Sequence, residues 1–188
     1  MDGICAPDIW QDKTEFTICE LGFGTGLNFL NTAIEWINNS NDNQRLHYIA
    51  IEKHPLKKNE IEDAIYWDKF SNLKCEMLSI YPGGGELYEK RVQLTLLIGD
   101  VVDQLAEMND TIDAWYLDGF APSKNPEMWT DKVFELVAQR SKTSARLATF
   151  TAAGFVRRGL ERVGFEMHKR PGFGKKREML SGIKKAAE

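Results

Sequence analysis

The chain has 188 residues, 43% of them hydrophobic and 28% charged, a balance that suits one folded domain and excludes disordered and fibrous classes. At this length roughly 70% of the unfolded chain's surface can be buried, so the core needs no disulfide or metal to hold it. Lys and Arg number 24 against 28 Asp and Glu, a net charge of −4, which excludes a polycation that coats nucleic acid and confines any RNA contact to a local surface. Cys5, Cys19 and Cys75 form no CxxC pair, and His47, His54 and His168 show no metal-ligand spacing, so no metal is expected. No stretch approaches the ~20 apolar residues of a membrane span, and the N-terminus lacks a secretion-signal profile; the expectation is a cytoplasmic protein with no membrane partner.

Phe16 to Glu20 is a short apolar run that ends in glycines, the pattern of a buried parallel strand. Leu27, Leu30, Ile34 and Ile37 then recur at helical spacing until Asn38-Asn39-Ser40-Asn41 stops the helix. His47 to Glu52 reads as a second strand, followed by a helix from Leu56 to Phe70. Tyr81 to Gly85 reads as a turn, Val92 to Ile98 as a third strand and Val101 to Met108 as a helix. Ala114 to Leu117 is a fourth strand, and Val133, Phe134, Val137 and Ala138 mark a helix capped by Thr130. Arg146 to Phe150, a helix from Phe155 to Val163, and two closing strands at Phe165 to Lys169 and Glu178 to Ile183 complete the series. This alternation predicts a doubly wound, Rossmann-like α/β fold, mostly parallel with an antiparallel C-terminal strand, formed by residues 1–188 as one domain. Ligands of such sheets bind at the strands' carboxyl ends.

The strongest local signal is Glu20-Leu21-Gly22-Phe23-Gly24-Thr25-Gly26, set where the first strand meets the first helix. Glycines there allow positive φ and close approach of a ligand to the backbone. A dinucleotide fingerprint is G-x-G-x-x-G, whereas here the third glycine comes one residue early. The loop instead resembles motif I of methyltransferases, which holds the methionine portion of S-adenosylmethionine. Glu52 ends the second strand, where an acidic residue takes the ribose hydroxyls of a nucleoside, with Lys53 beside it either near the ligand or as a solvated partner. Asp100, in Leu97-Ile98-Gly99-Asp100, matches the Asp that such methyltransferases present to adenine; it is equally placed as a helix N-cap.

The fourth strand ends in Asp118-Gly119-Phe120-Ala121-Pro122, which resembles motif IV of amine N-methyltransferases. An ammonium has no lone pair, so a carboxylate that binds the neutral amine can orient the lone pair and accept a proton, the role assigned to Asp118. Phe120 either stacks on a flat base or anchors the loop, and Pro122, Lys124, Asn125 and Trp129 follow as candidates for the substrate mouth.

Taken together, Glu20 to Leu30, Asp113 to Trp129 and Gly172 to Met179 closely resemble the methyltransferase domain of the family of tRNA 5-methylaminomethyl-2-thiouridine biosynthesis proteins, MnmC. The resemblance runs from Phe16 to Ile183. It implies an S-adenosylmethionine-dependent tRNA N-methyltransferase that acts on the 5-aminomethyl group of a wobble (2-thio)uridine in the anticodon loop. It also implies Glu20, Gly22, Phe23, Gly24, Gly26, Asn28, Glu52, Lys53 and Asp100 as cofactor residues. Family members commonly carry a further N-terminal segment and a fused FAD-dependent oxidase; the expectation is that the first is largely absent here and that an oxidase acts as a separate or fused partner. Two alternatives stay open: a methyl- or aminopropyltransferase of a small amine, and a non-catalytic tRNA-binding fragment.

Between His168 and Arg177 lie Lys169, Arg170, Lys175 and Lys176 with no acidic residue, so an acidic chain carries one concentrated basic segment, with Phe173 between glycines inside it. It is read either as a phosphate-clamping loop or as a basic hairpin tip exposed to water. Replacing Lys175, Lys176 and Arg177 with glutamine is expected to weaken tRNA binding and flatten its salt dependence, because released counterions set that slope. Titrations of the triple variant at several salt concentrations check this, and an unchanged slope rejects the phosphate-binding reading.

Overall fold

The parity of side chains along the first strand decides what lies on each face of the sheet. In the computed structural model, which describes residues 2–119, 121–172 and 178–186, β1 spans Glu15–Leu21. Phe16 and Ile18 pack on one face, whereas Cys19 and Leu21 pack on the other, as the two-residue period of a strand requires. Glu20 therefore shares a face with Phe16 and Ile18 and is buried there.

Around β1 the chain winds both ways. Parallel β2 (Arg45–Glu52) and β4 (Val92–Ile98) lie on one side, with the short β3 (Gly84–Leu87) antiparallel at the edge. Parallel β5 (Ile112–Leu117) and β6 (Ser141–Thr149) lie on the other. Beyond them β8 (Glu178–Lys184) runs antiparallel between β6 and β7 (Phe165–Pro171), giving the order β3-β4-β2-β1-β5-β6-β8-β7. The mostly parallel, doubly wound architecture with an antiparallel C-terminal strand is as expected. The order reverses at β1, so the crevice between the carboxyl ends of β1 and β5 is the fold's natural ligand position.

Helix α1 (Leu27–Asn39) buries Phe29, Leu30, Ala33 and Trp36 on the Glu20 face, where Trp36 meets Trp10 edge-on at 5.4 Å. On the opposite face, α4 (Val101–Glu107), α5 (Asp131–Arg140) and α6 (Gly154–Arg162) pack over Leu21, Ile51, Trp115 and Leu147. Thr130 caps α5 by accepting from the Val133 amide, as its position predicts.

Two stretches differ from the sequence reading. The helix expected from Leu56 to Phe70 is only α2 (Lys58–Ala64), and a second helix, α3 (Ser71–Ile80), follows a short 3-10 turn at Asp68–Phe70. The break has a packing cause: Ile65 and Phe70 both plunge into the core, and a continuous helix would not place residues five apart on one face. The Lys74 ammonium donates to the carbonyl of Ile65 that the break leaves behind. In the glycine triplet, read as a turn, Gly84 and Gly85 already pair with Leu94 and Thr95 as the start of an edge strand.

Gly159 of α6 faces Phe134 of α5 so closely that a Cβ there would lie 2.4 Å from the ring. Alanine is worth ~1 kcal/mol in helix propensity, but overpacking a rigid core costs ~1–3 kcal/mol, and Phe134 is too buried to swing aside. Gly159→Ala is therefore expected to lower the urea midpoint of unfolding, corresponding to a net loss of about 1 kcal/mol.

Candidate active site

The glycine loop leaves β1 at Leu21 and enters α1 at Leu27. Gly22 adopts φ +96° and passes Gly119 so closely that a Cβ would sit 3.2 Å from the Gly119 Cα, which locks the loop against the end of β5. Gly24 adopts φ +53°, and the place of its missing side chain opens onto empty space. Its amide donates to Glu52 Oε2 at 3.0 Å, while the His54 amide donates to Oε1 at 2.9 Å, so the loop and the end of β2 together hold one carboxylate.

A cavity of about 620 Å³ opens at this point. Gly22, Gly24, Glu52, Asp100, Val101 and Asp118 are among its walls, and Ile51 and Leu56 give it an apolar side. Its size is within the usual range for a pocket that takes a nucleoside-sized ligand. Asp100 caps α4 by accepting from the Val102 amide at 3.0 Å, one of the two roles foreseen for it, and it lines the cavity. That amide, followed by the Lys53 ammonium, holds the Asp100 carboxyl below its ordinary pKa. Lys53 bridges Asp100 at 3.1 Å and Glu127 at 3.0 Å across the cavity mouth.

A second cavity, of about 480 Å³, lies on the other side of Asp118 and is walled by Asn28, Asn31, Thr32, Tyr116, Phe150 and Met179 among others. Among the described residues, Asp118 alone belongs to the walls of both. Its Oδ2 accepts from Asn28 Nδ2 at 2.6 Å, and the same amide nitrogen donates to Glu20 Oε1 at 2.7 Å. The Tyr48 hydroxyl donates to Glu20 Oε2 at 2.9 Å. Burial pushes the Glu20 carboxyl up to about 8, more than the hydrogen bonds from Asn28 and Tyr48 pull it down. At neutral pH the network therefore does not set two charged carboxylates against one amide.

The candidate residues thus separate by place. Gly22, Gly24, Glu52, Lys53 and Asp100 meet at the larger cavity, and Lys124 and Asn125, expected at the substrate mouth, line that same cavity. Asn28, expected near the cofactor, lines the smaller one. Glu20 is buried, lines neither cavity and accepts from Asn28. Phe23 turns inward onto Tyr81, the two rings stacked at 6.2 Å, and Gly26 packs against the Phe23 ring. Trp129 is buried in the core and absent from both walls, where it anchors the loop after β5. Pro122 sits in a turn of that loop, half-buried. Phe120, Lys175, Lys176 and Arg177 lie outside the described residues. Asn31, Thr32 and Tyr116 were missed. Asn28, Asn31 and Thr32 form a polar stripe at i, i+3 and i+4 in the first half of α1, and Tyr116 stands two residues before Asp118 on the same strand face, so both signals were present in the sequence.

A sheet reversal that presents a glycine loop, a strand-end Glu and a strand-end Asp to one cavity defines a nucleoside-binding α/β protein. Residues 79–185 match the family described as S-adenosyl-L-methionine-dependent methyltransferase, and the chain belongs to that family. Its cofactor is accordingly S-adenosylmethionine. The chain is 43% identical to the tRNA 5-methylaminomethyl-2-thiouridine biosynthesis bifunctional protein MnmC of Magnetococcus marinus, over 97% of this chain and 28% of that protein. It is 45% identical to the protein of the same name from Marinomonas sp., over 90% of this chain and 26% of the other. It therefore spans little more than a quarter of the length of these curated relatives. The crystal structure of MNMC2 from Aquifex aeolicus superposes with a TM-score of 0.84 at 24% identity, covering 100% of this chain and 58% of that one, and shares its fold.

The raised Glu20 pKa sets a sign for stability. An unfolded Glu titrates near ~4.3, so between that pH and about 8 the folded chain holds a proton that the unfolded chain has released. The stabilisation is complete below the lower value and is lost as pH rises through the upper one. Wild type is expected to lose stability between pH 5 and pH 8.5 relative to Glu20→Gln, which does not titrate and can still accept from Asn28 while its amide nitrogen donates to the Tyr48 oxygen. Urea midpoints of both proteins across that range test it, and parallel profiles would show that Glu20 is not protonated in the fold.

Proposed function

We propose that this chain methylates the primary amine of a 5-aminomethyl group on the wobble uridine of tRNA, giving 5-methylaminomethyl-(2-thio)uridine, with Asp118 as the residue that orients the amine. The supporting observation is that Asp118 forms the partition between two cavities, one fitted to a nucleoside cofactor and one large enough for a base. The similarity to MnmC proteins along most of the chain supplies the substrate class.

Bound in the larger cavity, S-adenosylmethionine supplies a methyl group on a positively charged sulfur. Glu52, held open by the Gly24 and His54 amides, offers its two oxygens to the ribose hydroxyls, and Asp100 accepts from the adenine amine. Gly24, with nothing where its side chain would be, lets the methionine portion lie against the backbone. Asp118 accepts a hydrogen bond from the neutral substrate amine, which turns the nitrogen lone pair toward the first cavity, and it can take the proton that the nitrogen sheds on gaining its methyl. Asn28 fixes Asp118 Oδ2 so that the carboxylate meets the amine in one orientation. The target base lies in an unpaired loop, so turning it into the second cavity costs little stacking.

The named relatives are bifunctional, and a companion oxidase using FAD, on the same polypeptide or a separate one, fits the resemblance read in the sequence. A tRNA substrate is in keeping with a cytoplasmic protein; among the described residues no helix is long and apolar enough to cross a membrane.

The test is nucleoside analysis of tRNA carrying 5-aminomethyluridine after incubation with enzyme and S-adenosylmethionine. Asp118→Ala is expected to form product at a rate lower by about 10²–10⁴-fold, the usual worth of a positioned acid–base group, with S-adenosylhomocysteine affinity by calorimetry nearly unchanged. Label entering polyamines instead of RNA would overturn the tRNA reading.

A further inference from the structure

The break between α2 and α3 leaves two large aromatic residues exposed. Tyr66 is 73% and Trp67 41% exposed, although their neighbours Ile65 and Phe70 are each 1% exposed. The two outer rings are stacked on each other, with centroids 4.4 Å apart and planes 27° from parallel. The segment is held firmly at both ends. Lys74 Nζ donates to the Ile65 carbonyl at 2.7 Å, the Phe70 amide donates to the Trp67 carbonyl at 3.1 Å, and the Trp67 ring stands edge-on to Phe70 at 6.2 Å. Two aromatic rings left in water on a rigid turn are a cost to the fold that a soluble domain does not need for packing.

Their position points to what they meet. Lys69, two residues after Trp67, lies over the Phe70 ring at 4.5 Å and donates to Asn31 Oδ1 at 3.2 Å. Asn31 is part of the wall of the cavity that holds Asp118 on its far side. One side chain therefore connects the aromatic turn to the rim through which a nucleotide would reach the carboxylate. Glu62, Asp63 and Asp68 are in the same stretch as Lys69, so its charge is not that of a phosphate-binding patch. Flat π surfaces with little net positive charge suit bases rather than backbone.

We propose that Tyr66 and Trp67 form a stacking platform for an unpaired base next to the nucleotide that enters the second cavity. The proposal rests on the RNA reading of the function and extends it to a specificity surface outside the reacting centre. Every base has a π face, so the platform favours a loop whose neighbouring bases are unstacked and tolerates differences in their sequence. Its contribution is also distinct from that of a basic patch: stacking changes affinity without changing the number of counterions released.

The experiment measures binding of a synthetic anticodon stem-loop RNA carrying 5-aminomethyluridine by fluorescence anisotropy at several salt concentrations. Trp67→Ala is expected to weaken binding about tenfold with an unchanged salt slope, and Trp67→Phe to stay within about threefold of wild type. Trp67→Leu, which keeps bulk but has no π face, is expected to behave like Trp67→Ala, and S-adenosylhomocysteine affinity is expected to be the same in all of them. Wild-type affinity in Trp67→Leu would overturn the platform while leaving the proposed reaction intact. So would a Trp67→Ala variant that changes sedimentation but not RNA binding, because the turn would then be a protein-docking surface. If wild type neither binds nor methylates the stem-loop, the RNA reading falls and the platform falls with it.

Discussion

The side-chain amide of Asn28 holds together the three elements on which the site depends. One nitrogen donates to Glu20 at the end of β1 and to Asp118 at the end of β5, and the residue itself sits in the first turn of α1. Both acceptors lie on the same face of the sheet because each is an even step from residues whose side chains are known to point there: Ile18 in β1 and Tyr116 in β5. Burial raises the Glu20 carboxyl, which lessens the repulsion between the two carboxyl groups that share this amide. Strand parity, helix entry and protonation are thus a single constraint.

That constraint also explains why there are two cavities rather than one trough. Gly22 passes Gly119 at close range, which brings the glycine loop against the end of β5 and leaves Asp118 as the partition. On the β2 side of the partition the walls carry the acids Glu52 and Asp100; on the β6 side they carry amides, hydroxyls and aromatic rings. A transfer reaction requires its two partners to approach along one line while water is kept from between them, and the role proposed for Asp118 at the boundary would serve that requirement.

The platform at Tyr66 and Trp67 shows how a local irregularity acquires a use. The helix is interrupted because two apolar anchors must reach the core, and the residues between them have nowhere to go but outward. Lys74 satisfies the stranded carbonyl, which makes the outward turn firm rather than frayed.

By itself the sequence determined the alternation of the parallel strands with their helices, the glycine loop with its early third glycine, and the strand-end acids Glu52, Asp100 and Asp118, because these are encoded by periodicity and by spacing along one strand or turn. It could not place Phe23, Trp129 or Asn28, since whether a loop side chain turns toward a ligand or into the core depends on which neighbour fills the space. Phe23 found Tyr81, and Asn28 found a carboxylate ninety positions away. The raised pKa of Glu20, the division of the site into two cavities and the break after α2 were likewise decided only by tertiary structure. Each depends on desolvation and packing among residues that are distant in the chain, and those quantities do not exist until the sheet has closed over its helices.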